Sequence, residues 1–291
     1  MISMVLAAAI SAAPITCSPL PGWETIAEAV DGKFLVLGES HGTVEAPRAL
    51  AEYVCAASEN RSILVAIEFT STSNDDFQRA WEMPHTEFAD ALRSKVPDWN
   101  GREDGVASQA MLEMLVRLHA LKTVGRDIAI VAFNGAKNDA QRDKFAHLPG
   151  QEPHEAAQAE NIRDGWVAGA YHQTVVLVGG LHATKTVIDL NGINIRPMAN
   201  QIASPEDVIS LRMVHEGGES WSCQLRADID FDPTRPVTTD MLSCQPHSAR
   251  GWAESPEPGF YLAYSPDEAA FDGVFSLGPI SASPPAVPKK D

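Results

Sequence analysis

Four short apolar runs constrain this chain more than any other feature: Phe34–Gly38, Ile63–Phe69, Ile128–Phe133 and Thr174–Gly179. Each is nearly continuous in apolar residues and rich in Val and Ile, the pattern of a strand covered on both faces. Helical periodicity fills the intervals. It runs over Pro47–Ser58 after the first strand, over Asn74–Lys95 and Ser108–Thr123 after the second, and over Glu155–Tyr171 after the third. Ser108 is placed as an N-cap, with Met111, Leu112, Leu115 and Leu118 supplying the apolar face. Strand–helix alternation of this kind implies right-handed crossovers and an α/β fold, a mainly parallel sheet with helices on both faces.

The pattern changes after about residue 200. Val208–Val214 and Ser220–Leu225, separated by HEGGE, predict a hairpin, and Phe260–Tyr264 predicts a further edge strand. Between them Asp228–Pro258 is rich in Pro, Asp, Ser and Thr and reads as a long surface excursion. Residues 281–291 carry three prolines and read as a disordered tail. The organisation expected is one α/β domain over 18–280, with its core at 30–200 and a C-terminal elaboration at 201–280.

A hydrophobic content of 44% supports a real core, and a net charge of −17 argues against nucleic acid as a partner, because the phosphate backbone repels an acidic protein. The opening MISMVLAAAISAA reads as the apolar stretch of a signal peptide over residues 1–16, without the usual positive residues ahead of it. It is too short to span a bilayer, and no later stretch is apolar enough, so a periplasmic or secreted protein without a transmembrane segment is expected. Cys17, Cys55, Cys223 and Cys244 form an even set with no CxxC pair, which suits two disulfides in an oxidising compartment. Of the three pairings, Cys17–Cys55 with Cys223–Cys244 is preferred; buried free thiols are the alternative.

In an open parallel sheet, ligands bind beyond the carboxyl ends of the strands. The first strand runs into Gly38-Glu39-Ser40-His41-Gly42, the second reaches Glu68, the third ends at Asn134 and the fourth runs through Gly179-Gly180-Leu181-His182. Glu68 interrupts an apolar strand, where a carboxylate is costly unless it is paired. Any one of these residues has an ordinary structural reading as a cap or an ion-pair partner. Two His and two Glu on one edge point instead to a site, with Glu39, His41, Glu68 and His182 as its candidate catalytic residues.

The segments LGESHGTVEAP, VAIEF, HEAAQAENI and VLVGGLHA resemble the ordered motifs of the erythromycin esterase-like, ChaN-like and Tiki superfamily, over roughly residues 30–200. The resemblance implies that Glu39, His41, Glu45, Glu68 and His182 correspond to the superfamily's polar site. Esterase-like members use a His as general base for water, Tiki-like members are metal-dependent proteases, and ChaN-like members bind haem. The chain departs from the esterase pattern on the helix before the fourth strand, where His154 stands in place of the usual Arg and Arg163 lies two turns on. Glu45, Asn134, His154 and Arg163 are therefore the candidate substrate-binding residues.

Three readings follow from these groups. In the first, His41 takes a proton from water, Glu39 or Glu68 fixes its tautomer, and His182 or a backbone amide of Gly38 or Gly42 stabilises an oxyanion formed on a small-molecule or peptide substrate. No GxSxG sequence is present, which disfavours a serine nucleophile. In the second, His41, His182, Glu39 and Glu68 hold a divalent zinc, manganese or iron ion. In the third, the chain binds haem without turnover, with Phe77, Trp81, Phe88 and Trp99 walling the slot and the turn at 99–105 closing over it.

Overall fold

The computed structural model describes residues 15–190, 192–230, 237–264 and 269–288. Residues 1–14 of the stretch expected to be a signal peptide over 1–16 lie outside them. The helices are α1 (Trp23–Ala29), α2 (Glu45–Ala57), α3 (Asn74–Trp81), α4 (His85–Lys95), α5 (Gln109–Thr123), α6 (Asp139–Phe145), α7 (Glu152–Gly169) and α8 (Met198–Gln201). The first four strands are β1 (Lys33–Glu39), β2 (Ile63–Thr70), β3 (Ile128–Asn134) and β4 (Gln173–Gly179), at the four apolar runs. They are followed by β5 (Ile188–Leu190), β6 (Ile193–Ile195), β7 (Val208–Val214), β8 (Gly217–Leu225), β9 (Leu242–Arg250), β10 (Gly259–Leu262), β11 (Gly273–Ser276) and β12 (Pro279–Ile280).

Seven strands form the central sheet in the order β10-β11-β7-β1-β4-β2-β3, parallel throughout except for the antiparallel edge strand β10. The continuous apolar strands bury alternate residues into two cores. Leu35 and Leu37 of β1 face one side with Ile63, Val65 and Ile67 of β2, beneath α2 and α5. Phe34 and Val36 face the other with Val176 and Val178 of β4, beneath α7 and α8. Polar residues in those strand interiors would have no solvated face to occupy, and apart from Thr174 at the start of one run they appear only at the carboxyl ends.

Local signals explain the element boundaries. Ser108 caps α5, its hydroxyl accepting from the amide of Met111 at 3.3 Å. Pro84 divides the helix expected over Asn74–Lys95 into α3 and α4, because the residue before a proline avoids the helical region.

The C-terminal third departs from expectation in three ways. Strand β7 does not pair with β8; it inserts in parallel between β1 and β11, so the glycines at 217 and 218 lead into a separate sheet, β12-β8-β9. Within the stretch read as a surface excursion, β9 pairs antiparallel with β8 over nine residue positions, Gly217↔Arg250 to Leu225↔Leu242. The stretch read as a disordered tail is held over 281–286. The amide of Val44 donates to the Ser281 carbonyl, Ser283 donates to Gly42, Gln109 donates to Pro284, and Ala286 donates to Ala107. Prolines remove donors but leave carbonyls free to accept, and Pro284 does so.

Both preferred disulfides are formed: Cys17–Cys55 fastens the chain ahead of α1 to α2, and Cys223–Cys244 bridges paired positions of β8 and β9. Among the described residues no helix is long and apolar enough to cross a membrane. Cys17–Cys55 spans 38 residues of sequence, for which loop-closure entropy gives about 3–4 kcal/mol. Replacing both cysteines by serine is expected to lower the urea midpoint accordingly, and an unchanged midpoint would show that this bridge is not stabilising.

Candidate active site

The site forms where β1, β4 and β2 lie side by side and release their chains. Glu39 ends β1 and Glu68 sits near the end of β2, where the register with β3 shifts after Ile67. Strand β4 runs between them and ends in Gly179, paired with Glu39. A Cβ at position 179 would lie 3.0 Å from Nε2 of His41 and 3.6 Å from Cδ2 of His182. The missing side chain therefore leaves the space in which both imidazoles rest over the end of β4. Gly42, at φ 74°, and Gly105, at φ 92°, pack the neighbouring loops equally closely, Gly42 against the Trp221 carbonyl and Gly105 against the His41–Gly42 backbone.

The imidazoles and carboxylates alternate in a line. Glu39 Oε1 lies 3.0 Å from Nδ1 of His41, and Nε2 of His41 lies 3.3 Å from Oε2 of Glu68. The same Glu68 oxygen accepts the Gly179 amide at 2.8 Å. Glu68 Oε1 faces Nε2 of His182 at 3.7 Å, too far for a hydrogen bond. Nδ1 of His182 meets Glu155 Oε1 at 2.7 Å, and Glu155 Oε2 accepts the Met198 amide at 2.8 Å. Glu39, Glu68 and Glu155 are buried, whereas His41 and His182 keep 24% and 21% of their side chains exposed. Carboxylates are thus inside and imidazoles face out.

Charges follow from this arrangement. Burial alone would raise the pKa of Glu68, but the His41 and His182 rings and the Gly179 amide bring it down to about 2. Burial disfavours the charged form of His41, yet Glu68 and Glu39 together outweigh that and hold its pKa well above the ordinary 6.5. For His182 the burial cost is outweighed by the Glu155 hydrogen bond and the Glu68 charge, and its pKa is raised. Glu39 is raised chiefly by its own burial, which His41 offsets only in part. Its Oε2 atom is buried without a hydrogen-bond partner among the described residues.

The four expected catalytic residues come together. The expected substrate-binding residues divide. Asn134 and His154 adjoin the cluster: Gln158 joins them through its Nε2, 3.0 Å from Asn134 Oδ1 and 2.8 Å from His154 Nε2, and the His154 ring lies 6.0 Å from that of His182. Burial, first among its causes, lowers the His154 pKa. Glu45 and Arg163 make contacts outside this cluster. Glu45 accepts the Ser281 amide at 2.9 Å and so anchors the C-terminal segment. Arg163 donates to the Gln201 carbonyl at 2.5 Å; eight residues along α7 from Glu155, it stands about 12 Å away down the helix axis.

Glu155 is the member that sequence reasoning missed. It lies in the HEAAQAENI segment beside His154, and its signal was periodicity: Glu155, Gln158, Ala159 and Ile162 form the buried face of α7, so a carboxylate on that face needed a partner.

Two further expectations are tested by the donor set. Among the described residues no group of three or more His, Cys, Asp or Glu side chains is arranged to hold a metal ion. Both His41 nitrogens face carboxylates, at 3.0 Å and 3.3 Å. Phe77, Trp81, Phe88 and Trp99, expected to wall a haem slot, are instead core, each at most 2% exposed. The 99–105 turn does reach the site's edge, where Arg102 donates to the Glu68 carbonyl at 3.2 Å and the Glu103 carbonyl accepts from Trp221.

The fold has counterparts among solved structures. A variant of the erythromycin esterase EreC in its open conformation superposes with a TM-score of 0.59 at 12% identity, over 89% of this chain and 94% of that one. The chain has the erythromycin esterase fold. A succinoglycan biosynthesis protein matches with a TM-score of 0.59 at 10% identity, over 90% of this chain and 91% of that one. A protein from Bacillus cereus gives 0.54 at 11% identity, over 91% and 93%. No protein-family model matches the sequence. No curated protein matches it either. The motif resemblance and the shared fold agree with each other, and at these identities the agreement concerns the fold.

Proposed function

We propose that the chain is a hydrolase of carboxylic esters that activates water at His182, exported to an oxidising compartment where its two disulfides persist. One observation carries this reading: His182 has Nδ1 fixed on the buried Glu155, while Nε2 makes no hydrogen bond among the described residues and faces Glu68 and partial solvent. A carboxylate on one ring nitrogen fixes the tautomer that leaves the other nitrogen basic. His182 Nε2 would take a proton from water, the water oxygen would add to the ester carbonyl, and the proton would pass to the departing alcohol oxygen. His41, a cation held between Glu39 and Glu68, would supply positive charge to the oxyanion.

These roles exchange those expected from the sequence. His182 is the better base because its Nε2 stands 3.7 Å from Glu68, whereas Nε2 of His41 stands at 3.3 Å and its Nδ1 at 3.0 Å from Glu39. Asn134, Gln158 and His154 would provide a neutral polar wall for the substrate. The fold shared with EreC, itself an esterase, supports ester chemistry over peptide cleavage.

The test is hydrolysis of 4-nitrophenyl esters of graded acyl length by the purified chain, with and without a chelator. Chelator-insensitive release of nitrophenol with an acid limb above pH 6.5, the ordinary histidine value, is expected, since a base with a raised pKa is neutral only above it. No release from any ester sinks the proposal.

A further inference from the structure

On the β3 side of the cluster, Gln158 of α7 is fully buried and its side-chain nitrogen is engaged twice. Nε2 donates to Asn134 Oδ1 at 3.0 Å, and it stands 2.8 Å from Nε2 of His154, one helical turn back. An amide nitrogen brings two N–H groups and no lone pair to such a contact, so the His154 nitrogen must accept. A neutral imidazole that accepts at Nε2 carries its hydrogen on Nδ1. A proton added at Nε2 would set two donors against each other, which agrees with the lowering of the His154 pKa by burial. Turning the amide over would bring its oxygen against Asn134 Oδ1, acceptor to acceptor, so Asn134 opposes the reversed arrangement.

The Nδ1 hydrogen is left for a ligand. Nδ1 makes no hydrogen bond among the described residues, yet it is not one of the polar atoms sealed in the interior, and the ring is half-buried. A Cβ at position 135 would lie 3.5 Å from Cε1 and 3.6 Å from Nδ1 of His154, so Gly135, at φ 72°, leaves room beside that edge of the ring. The amide that holds the ring does so while its own Oε1 stays buried without a partner among the described residues.

We infer that His154 is a fixed hydrogen-bond donor to a neutral oxygen on the alcohol side of the substrate, with Gln158 as the positioning residue that sets its tautomer. The inference deepens the hydrolase reading and rests on it for the side. His182 gives its proton to the departing alcohol oxygen, so the alcohol part lies at His182. The His154 ring stands 6.0 Å from that of His182 on the β3 side, away from the His41 loop at the end of β1. A lone N–H favours an ether, carbonyl or hydroxyl oxygen over a methylene in the same place, and the nearby Glu68 and Glu155 carboxylates disfavour an anion. The tautomer itself stands apart from turnover.

The experiment therefore has a spectroscopic arm and a turnover arm. Long-range nitrogen–proton NMR correlation of the nitrogen-15-labelled full chain reads the tautomer, with the His154 ring identified by its absence in His154→Phe. The wild type near neutral pH is expected to show Nδ1 protonated and Nε2 bare. In Gln158→Glu a carboxylate replaces the donor, so Nε2 should become protonated, with circular dichroism confirming the fold. In the turnover arm, a pH-stat compares 2-methoxyethyl butyrate with butyl butyrate, each rate divided by that with hydroxide alone. The methoxyethyl ester should lead in kcat/KM about fivefold, as one hydrogen bond should give, and His154→Phe should remove the lead. A protonated Nε2 in the wild type, or a bare one in Gln158→Glu, overturns the assignment of the donor. Equal corrected rates for the two esters, or a lead untouched in His154→Phe, overturns its role toward the substrate. The Nδ1–H form without hydrolysis of either ester would overturn the hydrolase reading and leave His154 as a fixed donor at the site.

Discussion

Replacing His182 by alanine is expected to lower kcat/KM for ester hydrolysis about 10³-fold, within the range that a positioned general base contributes. Loss of the base removes proton acceptance but leaves the His41 cation and the polar wall, so KM should change far less than kcat. Glu155→Gln separates a positioning role from mere structural support. A neutral amide still occupies the space beside Nδ1 but no longer favours the imidazolium, so the pKa of His182 should fall. The acid limb of the pH–rate profile then moves to lower pH while the maximum rate drops. Stopped-assay profiles of the three proteins check this, and an unshifted limb in Glu155→Gln would remove His182 as the base.

His41→Ala should be the most destabilising single change in the site. It leaves Glu39 and Glu68, both buried, without the cation between them. Removing one partner of a buried ion pair costs about 3–5 kcal/mol, and the lower end applies to a ring with 24% of its surface open. The cost depends on pH in a defined direction. His41 has a raised folded pKa, so its contribution is complete below its ordinary 6.5 and is lost as pH rises through the folded value. Glu68, lowered to about 2, contributes above its ordinary 4.5 and loses that contribution as pH falls toward 2. The difference between wild type and His41→Ala should therefore be greatest between about pH 5 and pH 6.5 and should shrink on either side. Urea unfolding across that range measures it. Adding Glu39→Gln to His41→Ala should recover part of the loss, because one of the two facing anions is removed; a flat pH dependence would contradict the charge assignment.

Much of this site was legible because parallel sheets announce themselves twice, in apolar strands and in the polar residues that end them. Glu39, His41, Glu68 and His182 stand where those strands stop, and four strand ends converge on one edge by topology. Helix-borne members were harder to read. Glu155 and His154 are adjacent, and only the rotation of α7 about its axis decides that Glu155 faces His182 while His154 turns toward Gln158. The rise of two turns along α7 carries Arg163 away from Glu155 to the Gln201 carbonyl. In the C-terminal third, β7 and β8 are close in sequence and look like a hairpin, but the bare edge of β1 was available to β7. Pairing preference between distant strands leaves no mark on local alternation. The proline-rich stretch misled for a related reason: its order comes from carbonyls accepting from Gln109 and Val44, and composition does not record acceptors.

The hold of residues 281–286 on the Gly42 loop has a consequence for how the protein is made. The loop that presents His41 leaves β1 early in the chain, yet its backbone is tied to Ser281 and Ser283 and flanked by Trp221. A chain can therefore pair β1, β4 and β2 while the loop beside His41 is not yet tied. The backbone after β1 is thus held by residues 281 and 283, and a chain ending at residue 280 would leave that loop without these two ties.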